Sequence, residues 1–241
     1  MRKAAWRTDA RVVIKNRRHR GKISFGWLFI LLLLIAAGLG CGAGSSCGGE
    51  TPQSSAEDAG RWLRGGSDLH NTRFQGSEKI INSSNVGGLA PKWVETMAGD
   101  ISATPTTDGT NIYFPDWGGN LNALSASTGE VVWQKVLSSR TSPAIADDGA
   151  SLFVGTPIFA ASPASIVKLD THTGALIWNT IVDPHPAAAI TGNPVVAKNI
   201  VLIGISSSEE GLAADANYPC CTFRGSVVAV DETTGVILWK T

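Results

Sequence analysis

The chain has 241 residues, 43% of them apolar, with 27 Gly and 8 Trp, a composition typical of a packed globular body. Its formal net charge is zero, but the charge is unevenly distributed. Residues 1–22 carry nine Lys or Arg against the single acid Asp9, whereas the remainder carries eleven bases and nineteen acids, a net of −8. The acidic remainder of the chain contains no basic stripe that could neutralise phosphates, which argues against nucleic-acid binding.

The first 47 residues predict an export signal. A basic region that ends at Lys22 is followed by an uncharged apolar run over 25–39 and then by small residues around Cys41. The run of about fifteen residues is short for a spanning helix, which needs about 20. A cleavable signal peptide, a retained membrane anchor and a lipid-modified Cys41 all fit this order. We expect a periplasmic protein with a flexible Gly-, Ser- and Pro-rich linker over 48–60.

Three later segments repeat the pattern Thr-Gly-x-x-x-Trp. They end at Trp133, Trp178 and Trp239. In two of them an Asp, Asp170 or Asp231, stands four residues before the Gly, and Ser125 takes this place in the first. Such a segment predicts a tight hairpin, in which the Asp or Thr side chain bonds nearby amides and the Gly adopts a positive φ.

The residues between these signatures predict four short strands per unit, because apolar runs alternate with turn residues. Counted from an earlier Trp93, the Trp-to-Trp steps are 40, 45 and 61 residues, and the first two match the blade of a β-propeller. We therefore predict an all-β partial β-propeller over 91–241, preceded by a pre-propeller segment over 61–90. It would hold three to three and a half four-stranded blades, with Trp93 in the last strand of a partial unit. One buried Trp per unit would clamp each sheet against its neighbour.

The third unit is longer because it carries an insertion over 206–224. Long loops on a rigid scaffold often carry function, so we look for functional residues there. The insertion contains the pair Glu209-Glu210. A metal contact is one interpretation, but an acidic pair in a Gly- and Ser-rich loop is usually solvated, and we expect both residues to be exposed.

The repeat Ala-x-Asp-x-x-Thr-Gly-x-x-x-Trp resembles the tryptophan-docking motif of the quinoprotein, or PQQ-dependent, alcohol dehydrogenases. The pre-propeller segment, from Arg61-Trp62 through Asn71-Thr-Arg-Phe74 to Trp93, is similar to the first segment of that family. The phrase Cys-Cys-Thr-Phe-Arg-Gly at 220–225 is most similar to polyvinyl alcohol dehydrogenases. The resemblance covers residues 61–241 and implies an eight-bladed propeller that holds pyrroloquinoline quinone (PQQ) on its axis.

The resemblance also implies roles for three residues of the insertion. Cys220 and Cys221 would form a disulfide along one wall of the cofactor pocket, and Arg224 would face a cofactor carboxylate. A disulfide between neighbours is unusual, because adjacent Cα atoms lie about 3.8 Å apart, below the usual disulfide range of about 4.4 to 6.8 Å. The alternative is two cysteines that stay reduced or pair elsewhere, for instance with Cys47.

The resemblance further implies Ca²⁺ and a cytochrome-type electron acceptor for an enzyme that oxidises an alcohol by hydride transfer to the quinone. One departure is Ser102, which stands three residues before Pro105, where many family members have a Glu that contacts the cofactor. The family's catalytic Asp and Ca²⁺ ligands lie in later blades, so the catalytic base is unknown and no metal ligand is assigned. We predict that the chain is the N-terminal portion of such an enzyme; the alternative is a non-catalytic propeller scaffold or an inactive fragment.

Overall fold

The computed structural model describes residues 60–156 and 163–241. The predicted signal or anchor and all of the linker except Gly60 lie outside these residues. In the described part of the chain, no helix is long and apolar enough to cross a membrane. The predicted domain boundaries at residues 47, 60 and 90 remain predictions.

Three antiparallel sheets form the body. The first sheet contains β1 (Thr106–Thr107), β2 (Asn111–Pro115), β3 (Asn120–Ser125) and β4 (Val131–Val136). The second contains β5 (Ala144–Ile145), β6 (Ser151–Thr156), β7 (Ala164–Asp170) and β8 (Leu176–Asp183). The third contains β9 (Ala188–Ala189), β10 (Val195–Ala197), β11 (Ile200–Ser207), β12 (Ser226–Asp231) and β13 (Ile237–Lys240). A four-residue helix, α1 (Glu209–Leu212), lies between β11 and β12, and a 3-10 helix (Val86–Gly88) lies in the pre-propeller segment.

Each sheet is one propeller blade. Its strands pair in chain order, except that β9 and β10 both pair with β11, and the innermost strands β1, β5 and β10 lie next to one another. The predicted all-β partial propeller is therefore confirmed. Trp93 differs from the prediction: it is an isolated bridge residue and not part of a strand, since no sheet of a preceding blade lies alongside it in the described residues.

Each Thr-Gly turn receives the Trp of the unit before it. The indole Nε1 of Trp133, in the first blade, donates a hydrogen bond to the carbonyl of Thr171 in the second blade at 2.8 Å. Its ring lies so close to Gly174 that a Cβ added there would stand 2.8 Å from a ring carbon. In the same way, Trp93 donates to the carbonyl of Ala126 and lies against Gly129. Trp178 donates to the carbonyl of Glu232 and lies against Gly235. The predicted clamp is confirmed, and Gly is required in the turn for close approach as well as for backbone conformation.

The turn chemistry also follows the prediction. The carboxylate of Asp170 accepts hydrogen bonds from the amides of His172 and Thr173 at 3.0 and 2.8 Å, and from the Thr173 hydroxyl at 2.8 Å. These bonds, the Thr173 hydroxyl foremost, lower the pKa of Asp170. Asp231 makes the equivalent set. Gly174 has a φ of 68°, in the left-handed region that a side chain disfavours.

The apolar core lies between blades. One cluster joins the first and second blades through Tyr113, Leu121, Trp133, Leu152 and Val167. A second joins the second and third blades through Phe153, Ile166, Val201, Ile203 and Val228. Each blade is thus stabilised mainly by its neighbours, as expected for stacked repeats that cannot bury both faces alone.

The pre-propeller segment covers the inner edge of two blades. Trp62 and Thr107 exchange backbone hydrogen bonds of 2.8 and 2.9 Å, and the Leu63 carbonyl accepts the amide of Ile145 at 2.7 Å. The segment therefore satisfies backbone groups that the short edge strands β1 and β5 would otherwise leave unpaired.

The docking contact predicts a difference between two Trp substitutions. Trp133 is 9% exposed and docked, whereas Trp239 is 47% exposed and meets no following turn among the described residues. We expect Trp133→Ala to lower the free energy of unfolding by about 3 to 5 kcal/mol, and Trp239→Ala to lower it by roughly 1 kcal/mol or less. Urea titration monitored by circular dichroism measures both. Equal losses would contradict the stabilising role of docking.

Candidate cofactor-binding end of the blades

The connections between strands emerge at two ends of the blades, because successive antiparallel strands reverse direction. The Thr-Gly turns lie at one end, which we call the docking end. Among the described residues, the opposite end, which we call the insertion end, comprises residues 102–105, 116–119, 137–143, 184–194 (which include β9) and 208–225. It includes both the starts of the inner strands and the insertion of the third blade, so residues of all three blades lie at this end.

Hydrogen bonds link the starts of the three inner strands at this end. The Thr104 amide donates to the Ser142 hydroxyl at 2.8 Å, and the Ser142 amide donates to the side-chain oxygen of Asn193 at 2.8 Å. Each of these residues directly precedes a Pro. The recurrence of a polar residue before Pro is visible in the sequence, but its role in joining the blades becomes apparent only from these contacts.

The same repeat gives Ser102 two equivalents. Arg140 and Thr191 also stand three residues before the Pro that opens the inner strand of their blade. Ser102 and Thr191 are exposed and Arg140 is half-buried. The Thr191 hydroxyl lies 2.7 Å from that of Ser206 on β11. One position in the repeat therefore supplies a hydroxyl, a guanidinium and a second hydroxyl around the insertion end.

Trp117 connects two of these residues. Its indole Nε1 donates to the Ser102 hydroxyl at 2.9 Å, and the Arg140 guanidinium carbon lies 3.4 Å from the centre of its ring. The turn that carries Trp117 is fixed by the buried Asp116, which accepts a hydrogen bond of 3.0 Å from the Asn122 side chain. Trp117 remains 49% exposed. The half-exposed indole of Trp117 and the half-buried guanidinium of Arg140 thus form a stacked aromatic–cation pair, an arrangement suited to a planar anion.

The residues predicted from the insertion lie at the same end. Cys220, Cys221 and Arg224 are all exposed. The sulfur atoms of Cys220 and Cys221 are bonded to each other, the peptide bond between them is cis, and their Cα atoms are 3.0 Å apart instead of the expected value of about 3.8 Å. The Arg224 side chain makes no hydrogen bond or ion pair with the described residues. Their roles in cofactor binding remain predictions, and Cys47 lies outside the described residues.

The expectation that Glu209 is solvated is wrong, although Glu210 is exposed. Glu209 is fully buried, and the cost of burying its charge is offset because its carboxylate accepts hydrogen bonds from a set of protein donors. These are the hydroxyl of Ser207, the hydroxyl of Tyr218, the amide and hydroxyl of Thr222, and the amide of Phe223. Most of the donors follow nine to fourteen residues later in an irregular loop, so no periodicity in the sequence could reveal them.

These bonds change the acidity of Glu209. The Thr222 amide, followed by the Phe223 amide and the hydroxyls of Thr222 and Tyr218, lowers the pKa of Glu209 from 4.5 to about 2 against the opposing effect of burial. Since the pKa of Glu209 is lower in the folded state, its ionised carboxylate stabilises the folded protein, and this contribution is fully present above the ordinary pKa of 4.5. It is lost as the pH falls through about 2.

The described residues contain no preformed cluster of metal-binding side chains. Within 60–156 and 163–241 no group of three or more His, Cys, Asp or Glu side chains is arranged to hold a metal ion. The Glu209 carboxylate, for which a metal contact was one interpretation of the sequence, is already surrounded by N–H and O–H donors. The described parts of these blades therefore supply no complete metal site.

Antiparallel blades of four or five strands joined by tryptophan docking define a repeat protein of the PQQ-type β-propeller class. The PQQ_2 family model, described as outer membrane protein assembly factor BamB, matches residues 76–219. The chain belongs to this family.

The chain is also similar in sequence to individual dehydrogenases of known type. The chain is 33% identical over 189 residues to a polyvinylalcohol dehydrogenase of Sphingopyxis sp. (strain 113P3), covering 76% of this chain and 28% of that protein. It is 30% identical over 203 residues to a polyvinylalcohol dehydrogenase of Pseudomonas sp., covering 82% of this chain and 31% of the relative. The predicted resemblance to quinoprotein alcohol dehydrogenases is confirmed, and the chain spans less than a third of the length of these relatives.

Solved structures show the same fold. A europium-containing methanol dehydrogenase matches with a TM-score of 0.59 at 25% identity, over 75% of this chain and 31% of that structure. The quinohemoprotein alcohol dehydrogenase from Comamonas testosteroni matches with a TM-score of 0.61 at 22% identity, over 77% of this chain and 28% of that structure.

The buried carboxylate predicts an unusual titration. We expect the side-chain carboxyl carbon of Glu209 to show no chemical-shift change between about pH 7 and about pH 3.5, because its hydrogen bonds hold it ionised, and to titrate near pH 2. Carbon-detected NMR on protein labelled with ¹³C-glutamate measures this, and Glu209→Gln identifies the resonance. A midpoint at the ordinary value of 4.5 would contradict the buried network.

Proposed function

We propose that these blades are the N-terminal part of an exported PQQ-dependent dehydrogenase that oxidises an alcohol, with the quinone bound at the insertion end. The observation that carries this proposal is that Trp117 contacts both Ser102 and Arg140. These two residues occupy the same position in successive blades, and the resemblance implies a cofactor contact at the position of Ser102. The polyvinylalcohol dehydrogenases among the relatives support an alcohol with a secondary hydroxyl as the substrate.

The residues at this end fit the chemistry of PQQ, which is a planar tricarboxylate. Arg140 supplies a fixed planar cation for a carboxylate, and Trp117 supplies an aromatic face. The hydroxyls of Ser102 and Thr191 supply uncharged hydrogen-bonding groups. When bound, PQQ accepts the hydride equivalent from the alcohol.

The protein's own contribution is then to orient the quinone and to limit its access to water. The Thr104–Ser142–Asn193 hydrogen bonds fix the inner strands beneath it. Cys220 and Cys221 would form one wall, and Arg224, which is exposed at the same end, would be recruited by a second carboxylate. Ca²⁺, the catalytic base and a cytochrome-type acceptor would be contributed from outside these blades. Export to the periplasm follows from the predicted signal over 1–47.

A non-catalytic scaffold is the second candidate. The observation in its favour is the description of the matching family, an outer membrane protein assembly factor. Such a scaffold would need the docked blades but not the Arg140–Trp117 stack or the cysteine pair. Quinone binding therefore separates the two functions.

The binding proposal predicts the effect of three substitutions on PQQ affinity. In the protein as its gene encodes it, we expect Arg140→Ala to weaken PQQ binding roughly 10- to 100-fold, because a charge-assisted hydrogen bond is lost, and Cys221→Ser to weaken it as well. Lys79→Ala is the control, because Lys79 is an exposed cation of the pre-propeller segment that contacts the Gly76 carbonyl. Quenching of tryptophan fluorescence by added PQQ measures the affinity. No saturable binding by the unsubstituted protein would contradict the dehydrogenase and favour the scaffold.

A further inference from the structure

We infer that Glu209 is a positioning residue that holds the Cys220–Cys221 segment at the insertion end. Its link to the cofactor rests on the proposed function. Glu209 itself would touch neither quinone nor substrate.

The geometry points to this role because the donors to Glu209 lie on both sides of the cysteine pair. The Tyr218 hydroxyl, two residues before Cys220, donates to one carboxylate oxygen at 2.9 Å. The Thr222 amide, immediately after Cys221, donates to the same oxygen at 2.8 Å. The Phe223 amide donates to the other oxygen at 2.8 Å. One buried carboxylate therefore fixes the chain immediately before and after the two cysteines.

The negative charge of Glu209 is stabilised by these neutral hydrogen-bond donors. No Lys, Arg or His side chain of the described residues lies within salt-bridge distance of its carboxylate. A carboxylate accepts hydrogen bonds at both oxygens, whereas a glutamine of the same size presents an NH₂ group to one set of donors. Glu209→Gln would thus leave buried donors facing a donor, which costs more than the loss of a solvated hydrogen bond.

Glu209 is in turn anchored to the blade. The preceding residue, Ser208, donates from its amide to the Ala187 carbonyl at 2.8 Å. The ring of His185 packs against Phe223, with ring centres 4.9 Å apart, and Phe223 is buried in the core between the second and third blades. Ser208 thus holds the Glu209 side of the loop and Phe223 holds its far end. Loss of the Glu209 carboxylate should therefore release residues 218–222 without unfolding the blade.

Two matched pairs of variants make the test specific. We compare Glu209→Gln with Glu210→Gln, which changes the adjacent exposed residue, and Thr222→Val with Thr222→Ser, which keeps the hydroxyl donor. The readouts are amide hydrogen exchange of residues 218–225 and the rate at which tris(2-carboxyethyl)phosphine reduces the cysteine pair, both on the protein as its gene encodes it.

We expect Glu209→Gln to reduce amide protection in this segment and to accelerate reduction by at least about tenfold, with exchange in β5–β8 unchanged. Thr222→Val should produce a smaller change of the same kind, and Thr222→Ser and Glu210→Gln should behave like the unsubstituted protein. Equal protection in Glu209→Gln and Glu210→Gln would overturn the inference. If Glu209→Gln does not fold, equal reduction rates in Thr222→Val and Thr222→Ser would overturn it.

The PQQ affinity of the same variants separates this inference from the proposed function. Loss of protection with a parallel loss of PQQ affinity supports both. Loss of protection in a protein that never binds PQQ supports the positioning role and contradicts the cofactor site. Loss of PQQ affinity with unchanged protection overturns the positioning role alone.

Discussion

The structure depends on the contact between each Trp and the Thr-Gly turn of the following blade. The indole needs a glycine beneath it, because a Cβ at Gly174 would stand 2.8 Å from the ring of Trp133, and it needs an exposed carbonyl to accept its N–H. The turn provides both only when the Asp or Ser side chain has folded it. A single short motif thus determines the hairpin within one blade and the contact between two.

This constraint separates the two ends of the blades by role. The Trp docking contacts lie at the docking end, so the residues of the Thr-Gly turns are required for contact between blades. The opposite end is free to vary from blade to blade while its inner strands stay aligned through Thr104, Ser142 and Asn193. The third blade uses that freedom for an eighteen-residue connection that contains Glu209 and the cysteine pair. The contacts between blades and the proposed cofactor site thus lie at opposite ends of the same repeat.

The parts of the fold that repeat could be predicted from the sequence, and the parts that do not repeat could not. Thr-Gly-x-x-x-Trp is periodic, so the blades, their turns and the docking of Trp133 and Trp178 followed from it. Arg140 could also have been identified from the sequence, because it occupies the position of Ser102 in the next unit. The burial of Glu209 could not be predicted, because its donors lie in an irregular loop where no spacing relates acceptor to donor. Acidic residues near Gly and Ser are usually solvated, and this one is buried because Tyr218, Thr222 and Phe223 all donate to it.

The central claim is that cofactor chemistry belongs to the insertion end and blade contact to the docking end. A crystal structure of the protein prepared with PQQ tests it most directly. We expect quinone density against Trp117, with a carboxylate within hydrogen-bonding distance of the Arg140 guanidinium and the cysteine segment alongside. Density for the quinone among the Thr-Gly turns, or at the insertion end but away from Arg140 and Trp117, would contradict this assignment.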